Sequence, residues 1–82
     1  MFHVYAIKSK VTDHIYIGQT KDIKHRLSIH NNGYVKSTYK GVPWILIAMQ
    51  TFNTRQEARW CERQLKTSRG KRAKWIEHNL IT

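Results

Sequence analysis

Acidic residues are scarce in this chain, since 5 of its 82 residues are Asp or Glu whereas 15 are Lys or Arg. The formal net charge of +10 predicts an intracellular anionic partner, and nucleic acids are the most abundant extended ones. Long apolar runs are missing as well, and none approaches the roughly 18 residues that span a bilayer. Residues 1–10 alternate polar and apolar types, unlike a signal peptide. We therefore expect no membrane partner.

Cysteine is nearly absent too. Cys61 is the single cysteine of the sequence, which excludes an intramolecular disulfide and a Cys-rich zinc site. The histidines do not replace such a site, because His25 and His30 lie five positions apart and no Cys pair accompanies them. Repeats, linkers and low-complexity tracts are also missing. With 40% hydrophobic residues to build a core, we expect one domain over residues 1–82 in a reducing cytoplasm.

Three segments have the composition of strands. Residues 2–8 and 14–17 are rich in β-branched and aromatic types and flank a polar stretch, which predicts an antiparallel hairpin. On the two-residue period of a strand, Tyr5 points to one side and Tyr16 points opposite to Ile17. Residues 44–52 form an almost unbroken apolar run, which predicts a strand buried on both faces at the centre of the sheet.

The first predicted helix follows the hairpin. Thr20 is expected to cap it, and Asp22 in its first turn favours the positive end of the helix dipole. The helix should run to about His30, because residues 31–33 read Asn-Asn-Gly and tolerate the left-handed conformation that ends helices. A polar, basic loop then fills residues 34–42.

Two further helices follow the apolar run. Thr54 and Glu57 have the spacing of a capping box, which starts a second helix that continues to about Lys66. Residues 68–70, Ser-Arg-Gly, are expected to interrupt it. A last basic helix is predicted over residues 71–79.

Some polar residues fall on helix faces that should pack inward. Arg26 and His30 lie one turn apart at the edge of the inward stripe of the first helix. Glu62 falls on the same face of the second helix as Leu65, where an isolated carboxylate is costly. Glu62 therefore needs a partner, which is either a salt bridge to Arg26 or Lys66 or a metal ion.

Each of these residues also has an ordinary structural explanation. Arg26 alone is explained as a solvated helix residue, and His30 as a histidine at a helix end. Tyr5 and Tyr16 alone are common amphipathic strand residues. The cations of the loop and the last helices serve solubility or contact phosphates, and their number favours phosphate contact by Lys36, Lys40, Lys66, Arg69, Lys71, Arg72 and Lys74.

The joint pattern is more informative than any one residue. Residues 16–20 read YIGQT, residues 22–31 read DIKHRLSIHN, and residues 56–66 contain the spacing EAxxxExxxK. The chain resembles the GIY-YIG nuclease superfamily in these motifs, over about residues 2–74. Its length and basic ending are most similar to the small stand-alone members related to the nuclease module of the bacterial repair endonuclease UvrC. The resemblance implies an α+β fold with a three-stranded antiparallel sheet flanked by helices.

The resemblance also implies a catalytic set. Tyr5 and Tyr16 match the two motif tyrosines, Arg26 the helix arginine, His30 the histidine one turn later, and Glu62 the ligand of a single Mg²⁺ or Mn²⁺. One tyrosine would be the general base, helped by a nearby cation that eases loss of its proton, and family analogy favours Tyr5.

The sequence departs from the family pattern in two places. His3 and Val4 replace the opening Gly and Ile of the first motif, although Tyr5 remains. The asparagine that some members carry after the glutamate helix has a weak candidate in Asn79. Glu57 competes with Glu62 as the metal ligand, but the capping box explains Glu57.

The resulting expectation is a metal-dependent endonuclease that hydrolyses DNA phosphodiester bonds, with a function in DNA repair. Because no separate DNA-binding domain is attached, specificity would come from the basic loop, the tail, a partner protein or a homo-dimer. The alternative is a non-catalytic nucleic-acid-binding module on the same fold, and a third class is a small basic RNA-associated protein.

Overall fold

The computed structural model describes residues 1–81 and shows the expected α+β fold. Along this range the chain forms β1 (Phe2–Ser9), β2 (Ile15–Thr20), α1 (Ile23–Asn31), a 3₁₀ turn (Tyr39–Gly41), β3 (Trp44–Phe52), α2 (Arg55–Thr67) and α3 (Arg69–His78). None of the helices in this range is long and apolar enough to cross a membrane.

The three strands make one antiparallel sheet in the order β2-β1-β3, as expected for its strand number and direction. The position predicted for residues 44–52 is wrong, because β1 is central and β3 is an outer strand. Four consecutive residues of β1 are buried, whereas Ile45 on β3 is 45% exposed. A continuous apolar run in a sequence predicts a strand that is buried on both faces. In β3, however, several side chains of the run remain partly exposed to solvent at the edge of the sheet.

Helices cover both faces of the sheet. On one face, Val4 and Ala6 of β1 pack with Ala58 and Leu65 of α2, and α3 adds Trp75. On the other face, Tyr5 and Ile7 pack with Tyr16 and with Ile23 and Leu27 of α1. Alternation along β2 therefore sends Tyr16 to the α1 side and Ile17 to the α2 side.

The helix starts differ from the predictions at two positions. Asp22, not Thr20, is the N-cap of α1, because its carboxylate accepts a hydrogen bond from the backbone N–H of His25 at 3.1 Å. Thr20 is instead the last residue of β2 and accepts from the N–H of Asp22. The interruption between α2 and α3 is confined to Ser68, which caps α3, so that Gly70 lies inside the helix.

The predicted cap of α2 at Thr54 is confirmed, although the Glu57 carboxylate reaches back to the Thr54 hydroxyl in place of the backbone N–H of a standard capping box. The Thr54 hydroxyl oxygen accepts from the N–H of Glu57 at 3.2 Å and donates to the Glu57 carboxylate at 2.9 Å. Glu57 is thus held at the helix start and is exposed, which leaves Glu62 as the carboxylate of α2 that faces the sheet.

The loop between α1 and β3 is fastened at both ends. Asn31 donates to the carbonyl of Trp44 and accepts from its N–H, so the end of α1 is tied to the start of β3. Thr38 is buried, and its carbonyl accepts from the Trp44 indole N–H at 2.8 Å. Ser9 of β1 donates to the carbonyl of Gly41. These bonds position the loop against the edge of the tyrosine cluster described next.

Candidate active site

Tyr5 lies opposite Gly18 in the pairing of β1 with β2. The Tyr5 side chain is 2% exposed, and its ring passes directly over that glycine. A Cβ atom added to Gly18 would lie 2.5 Å from the Tyr5 hydroxyl oxygen and 3.1 Å from Cε2 of Tyr16. Real Cβ contacts of this length essentially never occur, so a side chain at position 18 would displace a tyrosine.

Replacing Gly18 with alanine is expected to lower the free energy of unfolding by about 1–3 kcal/mol, because the added methyl overpacks the contact with Tyr5. Urea denaturation measures the change. The control is Gly70→Ala, since a Cβ at Gly70 meets nothing within 4 Å. Alanine inside α3 is expected to raise the free energy of unfolding by about 0.5–1 kcal/mol. If the Gly18→Ala and Gly70→Ala variants changed the free energy of unfolding in the same direction, the result would contradict the close contact at Gly18.

A buried hydrogen-bond chain runs from Tyr5 through His30 to Thr38. The Tyr5 hydroxyl oxygen lies 2.8 Å from Nε2 of His30, and Nδ1 of His30 lies 2.8 Å from the Thr38 hydroxyl oxygen. His30 is fully buried, and burial together with the positive charge of Arg26 lowers its pKa to about 4. The imidazole is therefore neutral at pH 7. In the tautomer that matches a protonated Tyr5, the phenol donates to Nε2 and Nδ1–H donates to Thr38.

Burial raises the pKa of the Tyr5 phenol above its ordinary value. Arg26 beside it acts in the opposite direction, as expected of a nearby cation, but the effect of burial is larger. The expectation that a nearby cation makes Tyr5 lose its proton more easily is therefore wrong, because the pKa of Tyr5 is raised overall. The phenol keeps its proton and shares it with His30.

Tyr16 and Arg26 complete the cluster on the α1 face. The Tyr16 ring centroid lies 6.4 Å from that of Tyr5 and 5.1 Å from that of His30. Interaction with the Tyr5 hydroxyl raises the pKa of the Arg26 guanidinium, which stays charged. The structure thus brings four of the five predicted catalytic residues together as Tyr5, Tyr16, Arg26 and His30.

Glu62 reaches this cluster from the other side of the sheet. Its side chain is 18% exposed; one carboxylate oxygen accepts from the Gln19 amide at 3.0 Å, and the other pairs with Lys66 at 2.8 Å. Gln19 follows Gly18 on β2 and points to the α2 face, whereas Tyr16 points to the α1 face. Lys66 bridges the two sides, because its ammonium lies 5.7 Å from the Tyr16 ring centroid. Tyr5, Arg26 and His30 thus lie near Tyr16 on one face of the sheet at β2, and Glu62 contacts Gln19 of the same strand from the other face.

The sequence matches the family described as "GIY-YIG catalytic domain" over residues 1–75, which include the cluster and Glu62. The chain belongs to the GIY-YIG family. A UPF0213 protein of Staphylococcus saprophyticus is 38% identical over 76 residues, which cover 90% of this chain and 92% of the relative. A UPF0213 protein of Staphylococcus haemolyticus is 34% identical over 77 residues, covering 92% and 93%. No solved structure matches at the significance that these relatives reach.

The two departures from the GIY-YIG pattern now have structural explanations. His3, in place of a motif residue, makes a hydrogen bond across the sheet to the Thr51 hydroxyl at 2.8 Å, and β1 remains paired on both sides with Tyr5 opposite Gly18. Asn79 caps the end of α3 and donates to the carbonyl of Trp75. That role is structural, and it removes the reason to count Asn79 with the catalytic residues.

GIY-YIG nucleases use divalent metals, and the donor set around Glu62 fits one that keeps most of its waters. Within residues 1–81, no group of three or more His, Cys, Asp or Glu residues is arranged to hold a metal. Mg²⁺ commonly takes only one or two protein carboxylates and completes its octahedron with water and substrate oxygens. Glu62 supplies one such carboxylate, and the oxygen paired with Lys66 is the one a cation would compete for.

The predicted phosphate-binding cations separate into groups. Lys40, Arg69 and Arg72 line one cleft beside Tyr16, and Lys66 lies at Glu62. Lys71 donates instead to the Gln64 side chain, while Lys36 and Lys74 are exposed outside the cleft.

Sequence reasoning did not identify Gln19, Thr38, His14 or Ser37 as residues of the site. Gln19 had a signal, because it directly follows the YIG motif. Thr38 orients His30 from a loop eight residues away, and no periodicity links such positions. His14 and Ser37 line the cleft beside Tyr16 from separate turns.

Proposed function

We propose that this GIY-YIG domain is an endonuclease that hydrolyses DNA phosphodiester bonds, with Tyr5 as the general base. The observation that supports this most strongly is the hydrogen bond between the Tyr5 hydroxyl and a neutral, fully buried His30. A buried tyrosine hydroxyl needs a hydrogen-bond partner in any fold. A neutral imidazole with a free acceptor nitrogen can in addition take the proton that a general base must pass on.

Proton transfer through Tyr5 is proposed to be concerted. As the Tyr5 hydroxyl oxygen takes a proton from the attacking water, its own proton moves to Nε2 of His30. No free phenolate forms, which is consistent with the raised pKa of Tyr5. The water oxygen forms the new bond to phosphorus while the bond to the 3′ oxygen breaks, and the departing 3′ oxygen takes a proton from solvent. Because the pKa of His30 is about 4, the imidazolium is short-lived and returns its proton through the Tyr5 hydroxyl to solvent, while Nδ1–H of His30 stays hydrogen bonded to Thr38.

Arg26 and Tyr16 are proposed to hold the phosphate. The planar guanidinium of Arg26 offers paired N–H donors to two phosphate oxygens, and its position beside Tyr5 places that phosphate next to the base. Tyr16, whose ring lies next to that of Tyr5, would orient the attacking water or a phosphate oxygen.

Glu62 is proposed as the metal ligand, with Gln19 fixing the direction of its carboxylate. When bound there, one Mg²⁺ or Mn²⁺ would neutralise charge on the departing 3′ oxygen. Lys66 would release the carboxylate oxygen that it contacts and remain beside Tyr16.

The proposed substrate is DNA, with RNA as the competing polymer. Backbone contacts are assigned to Lys36, Lys40, Lys66, Arg69, Lys71, Arg72 and Lys74. We place the activity in the cytoplasm, where a chain with a single cysteine is at home, and in DNA repair, following the resemblance to the UvrC module. A partner protein or a second copy of the chain would supply specificity.

Supercoiled plasmid tests the proposal. The wild-type protein is expected to nick it with Mg²⁺ or Mn²⁺, and EDTA should abolish nicking. Arg26→Lys keeps the charge but loses the fork and is expected to slow nicking by roughly 10²-fold. Lys24→Arg, an exposed position on the same helix, is the control and should nick like the wild type. Nicking that survives EDTA, or an Arg26→Lys variant with full activity, would contradict the mechanism.

The ion pair between Glu62 and Lys66 favours a second candidate, a nucleic-acid-binding module without catalysis. A permanent pair would leave the carboxylate unavailable to a metal. Salt-sensitive DNA binding without cleavage of plasmid, branched or single-stranded DNA in either metal would support this candidate. RNA that copurifies with the protein and is not cleaved would support an RNA-associated protein.

A further inference from the structure

A cleft of about 650 Å³ opens beside Tyr16 and is distinct from the groove at Glu62. Three parts of the chain form it, namely the turn between β1 and β2 with the start of β2, the loop before β3 with the first residue of β3, and the start of α3. We call this the basic cleft, and the residues used in the argument are His14, Tyr16, Ser37, Lys40, Arg69 and Arg72.

We propose that the basic cleft binds backbone phosphates of the strand being cut, next to the phosphate that is hydrolysed. The strand identity rests on the proposed function, whereas phosphate binding by the cleft does not require cleavage. Nucleic acid is the occupant because the lining offers repeated cationic contacts and hydroxyl donors, which match successive phosphodiesters.

Convergence of charge is the first argument. Lys40 comes from the 3₁₀ turn and Arg69 and Arg72 from α3, so distant segments place three cations around one opening. Asp13 also lines the cleft, but its side chain is 86% exposed and its ion pair is with Lys8 at 4.0 Å. Like charges held together repel one another, and a bound phosphate chain would offset that repulsion.

Positioning is the second argument. The Arg72 guanidinium donates to the carbonyl of Leu65 at 3.4 Å, which directs its side chain along the junction of α2 and α3. Arg69 and Arg72 lie at the start of α3, so the positive end of that helix dipole lies near the cationic lining.

Tyr16 connects the basic cleft to the proposed active site. The Tyr16 side chain lines the cleft, while its ring centroid lies 6.4 Å from that of Tyr5 and 5.7 Å from the Lys66 ammonium. A strand whose phosphate lies at Arg26 and Tyr5 therefore continues past Tyr16 into the cleft. The geometry ranks Lys40, Arg69 and Arg72 above Lys36, Lys71 and Lys74 as phosphate contacts.

Two charge-matched double variants test this ranking. Lys40→Gln with Arg69→Gln removes two cleft cations, and Lys24→Gln with Arg55→Gln removes one Lys and one Arg at exposed positions outside the cleft. Fluorescence anisotropy with labelled single-stranded and duplex oligonucleotides, in EDTA and over a salt series, measures the affinity. Circular dichroism verifies that both variants are folded.

The cleft variant is expected to lose roughly tenfold or more in affinity at low salt. The slope of log affinity against log salt concentration should fall in magnitude by about 1.4 for single strands or about 1.8 for duplex, because two phosphate contacts are lost. The control variant should lose less than about threefold, with a slope change below about half a unit. Equal losses in the two variants would overturn the proposal, because they would show a general effect of net charge.

Cleavage assays separate this proposal from the proposed function. If the wild type cuts DNA and the two variants bind equally, the cleft assignment fails and the nuclease assignment stands. If the wild type does not cut DNA but the cleft variant alone loses affinity, the cleft assignment stands and the nuclease assignment fails. If both hold, the cleft variant should raise KM far more than it lowers kcat, because its cations lie beside the reacting atoms and not among them.

Discussion

Replacing Glu62 with glutamine is expected to lower the rate of metal-dependent DNA cleavage on the order of 10³-fold. The amide keeps the size of the side chain and an oxygen for the hydrogen bond from Gln19, but it loses the negative charge that a hard divalent cation requires. Plasmid nicking in Mg²⁺ and Mn²⁺ measures the loss. Higher metal concentration should restore part of the activity if the change weakens metal binding.

The matched control is Glu57→Gln. Glu57 lies on the same helix and is the same residue type, but it is exposed and serves the capping box. Its replacement should leave nicking unchanged and cost at most about 1 kcal/mol of unfolding free energy. The Glu62→Gln variant also loses the partly exposed ion pair with Lys66, and this loss should lower its free energy of unfolding by at most about 1 kcal/mol. An active Glu62→Gln variant, or equal losses in both variants, would remove Glu62 from the mechanism.

Acidification is expected to destabilise the fold by about 3 kcal/mol between pH 7 and pH 4, because of His30. Burial and Arg26 lower its pKa to about 4, from an ordinary value of 6.5 in the unfolded chain. Below pH 6.5 the unfolded state therefore binds a proton that the folded state does not. The free energy of unfolding falls as the pH drops through this window and levels off below pH 4. Urea denaturation at several pH values measures the effect.

Two further measurements isolate His30 as the cause. The pH-dependent fall should be largely absent in His30→Gln, whose amide remains neutral throughout. In the wild type, the His30 imidazole resonances should titrate by NMR with an apparent pKa near 4. Should His30→Gln fail to fold, the NMR titration still decides the matter, and a His30 pKa near 6.5 would contradict the buried neutral state.

The parts of the fold that sequence predicts well are those set by neighbouring residues. The cap at Thr54 marks the start of α2, because a cap depends on residues a few positions apart. The predicted end of the second strand at residue 17 is wrong, because β2 continues through Gly18 and Gln19 to Thr20, paired with β1. Neighbouring residues did not suffice to identify the N-cap of α1, because the side chains of Thr20 and Asp22 both have suitable oxygens. Their backbone conformations decide between them, and these depend on where β2 stops pairing.

Features that depend on distant segments could not be predicted in this way. The long apolar run of β3 does not reveal that its outer side is only partly covered. The basic cleft is assembled from distant segments, so no spacing predicts that Lys40 lines the same cleft as Arg69 while Lys71 contacts Gln64. The prediction for the Tyr5 proton considered only a nearby cation, whereas the burial that dominates the pKa of Tyr5 comes from the surrounding core.

The close approach of Tyr5 to Gly18 also selects the alignment of β2 during folding. A slip of β2 by two residues would keep its side chains on the correct faces, so hydrophobic patterning alone does not penalise it. Such a slip would place Tyr16 or Thr20 opposite Tyr5, where the ring finds no space. Gly18 therefore favours the native alignment of β2 over these slipped alignments.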